Sequence, residues 1–259
     1  MKYTKRRKGK GIYLLPNLLT SISLLAGFYA IVTAMDRNFA YAAYAIFVSC
    51  LFDMLDGRVA RLTHSSSKFG VEYDSLSDLV AFGVAPGVLV YLWALKSYGK
   101  FGWLAGFLYV ACGAVRLARF NIQVDTVQKK SFLGLPIPAA AATIAGSVLF
   151  YAWLEYKGMF KSTLIPILVY ALAFLMVSNI RYFSFKDMRF FKEKPFRSTV
   201  AAIILLVIIL SEPKITLFVA TLGYALSGPV YSLILKVRKP VTEDATHPRE
   251  TSADQGARL

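Results

Sequence analysis

The sequence predicts an all-α integral membrane protein with about eight transmembrane helices. Hydrophobic residues make up 56% of the 259 residues, and the mean hydropathy is +0.52, more than a soluble domain of this length needs. The apolar residues fall in repeated runs of about 20, the length that spans a bilayer as a helix. The Lys and Arg residues lie almost entirely between these runs, as they do in membrane proteins.

The eight expected spans are continuous apolar stretches separated by polar or basic connections. They cover residues 13–34, 40–60, 74–95, 102–120, 136–155, 163–181, 197–211 and 215–236. Together they define a membrane domain over residues 13–237, preceded by a basic segment at 1–12. Residues 238–259 form a polar, proline-containing tail that we expect to be disordered.

The basic residues predict how the helices are oriented. All but six of the 30 Lys and Arg residues lie at the termini or in alternate connections between spans. The six on the other side are Arg37, Lys96, Lys100, Lys157, Lys161 and Lys214. Because cytoplasmic loops carry the excess of Lys and Arg, we expect a multi-pass protein of the cell membrane with both termini in the cytoplasm. The same distribution indicates that the net charge of +15 serves contacts with anionic lipid and does not mark a nucleic-acid-binding protein.

The stretch from 53 to 78, DMLDGRVARLTHSSSKFGVEYDSLSD, places carboxylates beside continuous apolar sequence. Asp53 and Asp56 are three residues apart, and Asp74 and Asp78 are four apart, so each pair lies on one helical face. If the second and third helices are neighbours, four carboxylates meet at their cytoplasmic ends. Such groups would repel one another, and bound Mg²⁺, Mn²⁺ or Ca²⁺ would relieve the repulsion. The pattern therefore predicts a two-metal centre that holds a phosphodiester.

The residues between the aspartates suit a phosphate-bearing substrate. Gly57 and Gly70 remove side chains where a ligand can approach the backbone. Arg61 lies eight residues after Asp53, roughly on the same face, and its guanidinium fits phosphate oxygens. Since the site would lie at the membrane surface, the expected substrate is a phosphorylated lipid.

Two other interpretations of the aspartates fit the sequence less well. Solvated loop charges are usually mixed in type, whereas these are four Asp residues at helical spacing beside apolar helix. A cation or proton transporter also uses intramembrane acids. Transporter sites lie near the midplane between repeats, whereas these acids lie at one face and the sequence shows no clear internal repeat.

Eight positions in this stretch resemble the signature of a known family. Written as D-x2-D-G-x2-A-R-x8-G-x3-D-x3-D, they match the CDP-alcohol phosphatidyltransferases without departure. The resemblance implies a pair of divalent metal ions, Mg²⁺ or Mn²⁺, bound by Asp53, Asp56 and Asp74. It implies that Asp78 is the catalytic base and a further ligand. Members of the family are often homodimers, so a homodimer is a possible assembly.

The same resemblance implies a site for the cytidine diphosphate part of CDP-diacylglycerol. Its residues within the signature are Gly57, Ala60, Arg61 and Gly70. The segment PNLLT at the start of the first span also looks like the family, which adds Asn17 and Thr20 to the nucleotide pocket.

Other segments resemble one branch of the family, the membrane-embedded phosphatidylserine synthases of bacteria and archaea. They are FDMLDGRVARLT, EYDSLSDLVAFGVAPG, RLARFN and FLGLPIPAAA. The branch implies attack of the L-serine hydroxyl on CDP-diacylglycerol, giving phosphatidylserine and CMP, with Asp78 taking the proton. Glycerol 3-phosphate or inositol phosphate would use the same metal motif, so the acceptor stays open at this point.

The serine carboxylate requires a cationic partner. Arg116 and Arg119, three apart at the end of the fourth span, could hold it, or could be anchors on the cytoplasmic side. Asn121 and the GLPIP turn, with Gly134, Pro136 and Pro138, could shape the same pocket. For the prolines the alternative is a helix N-terminus.

Overall fold

The structure is a computed structural model and consists of packed helices. It describes residues 14–63, 67–124, 132–154, 162–182, 200, 203, 207 and 211–237. The chain begins with α1 (Leu14–Met35) and α2 (Phe39–Thr63). A long rod follows, made of α3 (Lys68–Asp78), a π-helical segment (Leu79–Val84), α4 (Ala85–Val90), a second π-helical segment (Tyr91–Leu95) and a 3-10 turn (Lys96–Tyr98). The later elements are α5 (Lys100–Val124), β1 (Phe132–Leu133), α6 (Ile137–Trp153), α7 (Leu164–Val177), β2 (Arg181–Tyr182) and α8 (Pro213–Val237).

Within the described residues, five helices are long and apolar enough to cross a membrane. They are Leu14–Met35, Phe39–Thr63, Lys68–Tyr98, Lys100–Ile122 and Pro213–Ile234. Two shorter apolar helices, Ile137–Trp153 and Leu164–Val177, coincide with the fifth and sixth expected spans. The expected span 197–211 falls almost wholly outside the described residues, as do the segment 1–12 and the tail 238–259. The prediction of a helical membrane protein is therefore confirmed, with five full-length candidate spans among the described residues.

The rod begins six residues earlier than the expected third span. Its first six residues, KFGVEY, mix charged with apolar residues, so hydropathy does not assign them to a span. Ser67 caps the rod, because its hydroxyl accepts a hydrogen bond of 2.9 Å from the Gly70 amide. The helical start at Lys68 places Asp74 and Asp78 well inside a rigid helix instead of at its frayed end.

The helices α1 and α2 form an antiparallel hairpin with a small-residue interface. The chain reverses at Arg37, which has φ 61, and the Asn38 amide donates to the Thr33 carbonyl at 2.9 Å. Deeper in the interface, Ser23 and Ser49 exchange hydrogen bonds, each hydroxyl reaching the other residue's carbonyl at 3.1 and 3.0 Å. Small and hydroxyl-bearing residues allow two membrane helices to approach closely and stay bonded.

The rod runs parallel to α1 and packs tightly against it. The Ser21 and Tyr73 hydroxyls are hydrogen-bonded at 2.8 Å near the start of the contact. Further along, a Cβ on Gly27 would lie 2.6 Å from the Cα of Ala81, so the two backbones touch at a glycine. Because α1 contacts both α2 and the rod, it brings the aspartate-bearing parts of those helices to the same end of the bundle.

The two short strands form a clasp between α6, α7 and α8. Phe132 pairs with Tyr182 in an antiparallel register, and the Gly134 amide donates to the Ile180 carbonyl at 2.9 Å. Gly134 has φ 78, and a Cβ there would collide with the Met176 carbonyl, so the turn into α6 requires glycine. We call this arrangement the β1–β2 clasp.

Two prolines follow the clasp at the start of α6. Pro136 immediately precedes the helix, and Pro138 lies in its first turn, where no amide donor is needed. Both prolines are therefore explained by the start of α6, without a role in a binding pocket.

The contact at Gly27 gives a test of the packing. Gly27→Val should lower the thermal stability of the purified protein in detergent, because forcing a side chain into a filled interface costs about 1–3 kcal/mol. Gly223→Val is the matched control, since a Cβ on Gly223 meets no described atom within 4 Å. Equal melting temperatures for the two variants would contradict the close approach of α1 to the rod.

Candidate active site

Four aspartates from α2 and α3 meet at one end of the bundle. Ligand oxygens of Asp53, Asp56 and Asp74 all lie within 4.8 Å of one another. Asp78, one turn after Asp74, brings its carboxyl group into hydrogen-bonding contact with that of Asp53. The two pairs that the helical spacing indicated therefore do come together, and we call this group the aspartate cluster.

The aspartate cluster fits a hard divalent cation. Carboxylate oxygens are the ligands that Mg²⁺ and Mn²⁺ prefer. The Oδ1 atom of Asp74 is buried and has no hydrogen-bond partner among the described residues. Buried polar atoms in folded proteins almost always have a partner, and a bound cation would provide one here. Asp53, Asp56 and Asp74 thus form a candidate metal centre.

A threonine of α1 supports one of these ligands. The Thr20 hydroxyl donates to Oδ2 of Asp56 at 2.7 Å, and it also lies 3.1 Å from the Pro16 carbonyl oxygen of its own helix. Asp56 is the most buried member of the candidate centre, with 4% of its surface exposed. Hydrogen bonds of this kind hold metal ligands in one orientation. Thr20 was expected in the nucleotide pocket, and the structure shows a carboxylate as its partner.

The other residues expected at the nucleotide fall into two groups. On α2, a Cβ on Gly57 would lie 3.5 Å from Nη1 of Arg61, so the exposed guanidinium of Arg61 folds back over the glycine. Ala60, which precedes Arg61, is half-buried. Where α1 meets α3, a Cβ on Gly70 would lie 3.3 Å from Oδ1 of Asn17. Each glycine therefore leaves room beneath a polar side chain that can bind a ligand.

The helix α5 contributes a buried arginine to this region. Arg116 is 9% exposed, and its guanidinium is near enough to Asp78 and Tyr224 to interact electrostatically with both. Its Nε atom has no hydrogen-bond partner among the residues that the structure describes. Since an unpaired buried donor is costly, this guanidinium is suited to an anionic ligand.

The two neighbours of Arg116 in the expected serine pocket have other partners. Arg119 donates from Nη2 to Oδ1 of Asn179, beyond the end of α7, at 2.8 Å. Asn121 donates from Nδ2 to the Ser75 hydroxyl at 2.9 Å and so links α5 to α3. Arg116 therefore interacts electrostatically with Asp78 of the aspartate cluster, whereas Arg119 is bonded to Asn179.

Sequence reasoning missed two residues of this region. Ser77 is 2% exposed, and its hydroxyl has no hydrogen-bond partner within the described part of the chain. Its position between Asp74 and Asp78 could have drawn attention to it. Tyr224 on α8 approaches Arg116 from a distant part of the sequence, and no local pattern marks it.

Comparison with known proteins agrees with this geometry. The profile of the family described as CDP-alcohol phosphatidyltransferase matches residues 13–177, which include the aspartate cluster and Arg116. A CDP-diacylglycerol–serine O-phosphatidyltransferase of Helicobacter pylori is 44% identical over 181 residues, covering 69% of this chain and 75% of that protein.

Two archaeal proteins are also similar to this chain. An archaetidylserine synthase of Methanothermobacter thermautotrophicus is 38% identical over 170 residues, covering 65% of this chain and 69% of that protein. A CDP-diacylglycerol–serine O-phosphatidyltransferase of Methanocaldococcus jannaschii is 36% identical over 172 residues, covering 66% of this chain and 74% of that protein. With the profile matching more than half of its length around an intact aspartate cluster, the chain belongs to the CDP-alcohol phosphatidyltransferase family.

Proposed function

We propose that this protein transfers the phosphatidyl group of CDP-diacylglycerol to L-serine and releases CMP. The observation that carries the proposal is the buried Arg116 guanidinium, which interacts electrostatically with Asp78 and has an Nε without a hydrogen-bond partner among the described residues. Serine bears its hydroxyl and its carboxylate on neighbouring carbons, so the hydroxyl can face Asp78 while the carboxylate faces Arg116. The names of the similar proteins from Helicobacter pylori and the two archaea support serine as the acceptor.

In this proposal the residues around the two glycines bind the nucleotide end of CDP-diacylglycerol. Arg61 offers a forked guanidinium to phosphate oxygens above Gly57. Asn17 offers its amide above Gly70 to the cytidine part. Ala60, a small half-buried residue next to Arg61 on α2, would leave room there for the ligand.

The aspartate cluster would hold the divalent metal. Asp53, Asp56 and Asp74 would bind two ions, Mg²⁺ or Mn²⁺, and Thr20 keeps the Asp56 carboxylate in place. When bound, the metal neutralises the diphosphate and the phosphate of departing CMP.

The transfer step then uses Asp78 and Arg116. Asp78 accepts the proton of the serine hydroxyl, whose oxygen attacks the phosphorus that carries diacylglycerol. A new P–O bond to serine forms as the P–O bond to CMP breaks, and CMP leaves with the electron pair. Arg116 holds the carboxylate and so orients the hydroxyl for attack, which contributes to the rate by positioning.

The proposal includes an eight-span topology with both termini and the aspartate cluster on the cytoplasmic side. The distribution of Lys and Arg between alternate connections supports it. CDP-diacylglycerol would then enter from the lipid, and serine from the cytoplasm.

Metal dependence is the first test of this function. EDTA should abolish formation of phosphatidylserine, and Mg²⁺ or Mn²⁺ should restore it. Thr20→Val should raise the Mg²⁺ concentration for half-maximal activity by about 10–100-fold, the usual effect of losing a partner of a metal ligand.

Thr33→Val is the control for Thr20→Val, because the Thr33 hydroxyl bonds to carbonyls of its own helix, at Tyr29 and Ala30. Full activity in the presence of EDTA would exclude the metal centre. An identical Mg²⁺ response in the two variants would exclude the supporting role of Thr20.

The role of Asp78 is tested by separating turnover from binding. Asp78→Asn should lower kcat by roughly 10²–10⁴-fold, the scale of general-base catalysis, while CDP-diacylglycerol still binds. Asp53→Asn should instead weaken the Mg²⁺-dependent binding of CDP-diacylglycerol. A near-normal kcat for Asp78→Asn would remove Asp78 from the chemistry, and equal binding defects would show that the two roles are wrongly divided.

The acceptor pocket is tested at Arg116. Arg116→Lys should raise the KM for serine strongly, since Lys cannot reproduce a bidentate contact with a carboxylate. The binding of CDP-diacylglycerol should be unaffected. Arg119→Lys is the matched control on the same helix, because Arg119 is bonded to Asn179. Equal serine KM values for the wild type, Arg116→Lys and Arg119→Lys would mean that Arg116 has only a structural role. A wild-type product other than phosphatidylserine would overturn serine as the acceptor.

A further inference from the structure

The rod changes from α-helix to π-helix directly after Asp78. The π-helical segment is Leu79–Val84, and the Ala85 amide at its end donates to the carbonyl of Val80, five residues back. A π-helical turn holds one residue more than an α-helical turn, and one residue rotates an α-helix by about 100°. The segment therefore determines how the aspartate-bearing face of α3 is turned relative to the apolar rest of the rod.

A proline explains why the α-helix is interrupted here. Pro86 has no amide hydrogen, and in an α-helix its ring would collide with the carbonyl of the residue four positions earlier, which is Phe82. Local π-helical turns are one way in which membrane helices accommodate proline. The Phe82 carbonyl is left without the amide donor that position 86 would otherwise supply. Phe82 is fully buried, so solvent does not replace that donor.

The neighbouring helix α5 supplies the donor instead. The Tyr109 hydroxyl donates to the Phe82 carbonyl at 3.0 Å. Tyr109 is fully buried, and a Cβ on Gly87 would lie 3.9 Å from its Cδ1 atom, so the ring lies against the turn that contains Pro86. A buried carbonyl that loses its only side-chain donor stays desolvated, which makes such a bond costly to remove. Tyr109 therefore stabilises the π-helical segment from outside the rod.

This bond acts on the part of the rod next to Asp78. Asp78 is the last residue of α3, and the π-helical segment begins at the following residue. Asp74 has an anchor of its own, because it is next to Tyr73, whose hydroxyl is bonded to that of Ser21 on α1 at 2.8 Å. Loss of the Tyr109 bond should therefore disturb the orientation of Asp78 more than that of the candidate metal ligand Asp74.

We propose that Tyr109 is a positioning residue for the transfer step. By binding the carbonyl that Pro86 leaves free, it holds the π-helical turn that orients Asp78 toward the acceptor hydroxyl. Tyr109 acts through the backbone of the rod and takes no part in the exchange of bonds at phosphorus. This inference rests on the proposed function, since it assumes that Asp78 accepts the proton of the acceptor.

The test compares Tyr109→Phe with wild-type full-length protein in detergent micelles containing CDP-diacylglycerol, Mg²⁺ and serine. Phe keeps the buried ring and removes the donor to the Phe82 carbonyl. The kcat should fall by roughly 10- to 100-fold, the scale of a small misplacement of a reacting group. The serine KM, the Kd for CDP-diacylglycerol and the Mg²⁺ concentration for half-maximal activity should change less than about twofold, because the lost interaction affects only the transfer step.

Tyr170→Phe is the matched control. The Tyr170 hydroxyl of α7 also donates to a phenylalanine carbonyl, that of Phe101 at the start of α5, at 3.2 Å. Its loss removes the same kind of bond away from the π-helical segment. Tyr170→Phe should therefore keep the wild-type kcat.

A double variant separates positioning from general damage. Asp78→Asn combined with Tyr109→Phe should have the kcat of Asp78→Asn alone, because residues that act as one unit are not additive. Partial unfolding would instead lower kcat by the same factor whether or not the Asp78 carboxylate is present.

A second double variant tests the origin of the free carbonyl. Pro86→Ala returns an amide four residues after Phe82, where it can donate to the carbonyl. Within the Pro86→Ala protein, Tyr109→Phe should therefore lower kcat by less than about twofold.

The outcomes distinguish this inference from the function on which it rests. An unchanged kcat in Tyr109→Phe, with normal phosphatidylserine synthesis by the wild type, overturns the inference alone. So does an equal fall in kcat with and without the Asp78 carboxylate, or with and without Pro86. A near-normal kcat for Asp78→Asn, or a wild-type protein that forms no phosphatidylserine, overturns both the proposed function and the inference.

Discussion

Several carboxyl groups share a small volume at one end of an apolar bundle, and the surrounding helices are arranged to hold them there. Like charges at this separation repel, and removal from water makes each charge more costly. The Thr20 hydroxyl offsets part of that cost at Asp56. Asp74 has a buried oxygen with no such partner in the described chain. The free energy needed to keep the carboxylates together has to come from packing elsewhere, until a cation binds.

That packing comes mainly from α1, which lies against both helices that carry the aspartates. Its two key contacts are of different kinds. Ser23 and Ser49 are joined by reciprocal hydrogen bonds, whereas Gly27 and Ala81 touch backbone to backbone. Neither contact depends on long, flexible side chains, so α2 and the rod have little freedom to separate. A helix without a catalytic residue thereby determines the shape of the metal centre.

Local geometry explains which parts could be predicted from the sequence. The convergence of the aspartate pairs follows from spacings of three and four within single helices, which depend only on the helical repeat. The same reasoning could not show that Arg116 and Arg119 have different partners. Their spacing of three places them on one helical face, but it does not reveal a partner such as Asn179 that is distant in sequence. The start of the rod was missed for another reason, since hydropathy does not detect the capping serine at which this helix begins.

Tertiary contacts explain the rest of the difference. Strands of two residues are too short to show any alternation of polar and apolar residues, so the β1–β2 clasp leaves no pattern in the sequence. The docking of α8 involves a hydrogen bond from Tyr182 of that clasp to the Ala225 carbonyl, a contact between residues distant in sequence that no local pattern marks. The acceptor side of the site is accordingly the part for which sequence reasoning was weakest.

The clasp also has a consequence for the order of events during synthesis. Its partners, Phe132 and Tyr182, are separated by two complete helices, so the ladder cannot close until the ribosome has made both of them. Contacts between distant residues form late, because the entropy of closing the intervening loop must be lost first. The α1–α2 hairpin, by contrast, can assemble as soon as α2 has been made, because only a short turn separates the two helices. Nascent chains should thus acquire the carboxylate end early and the region around Arg116 last, after α8 has emerged.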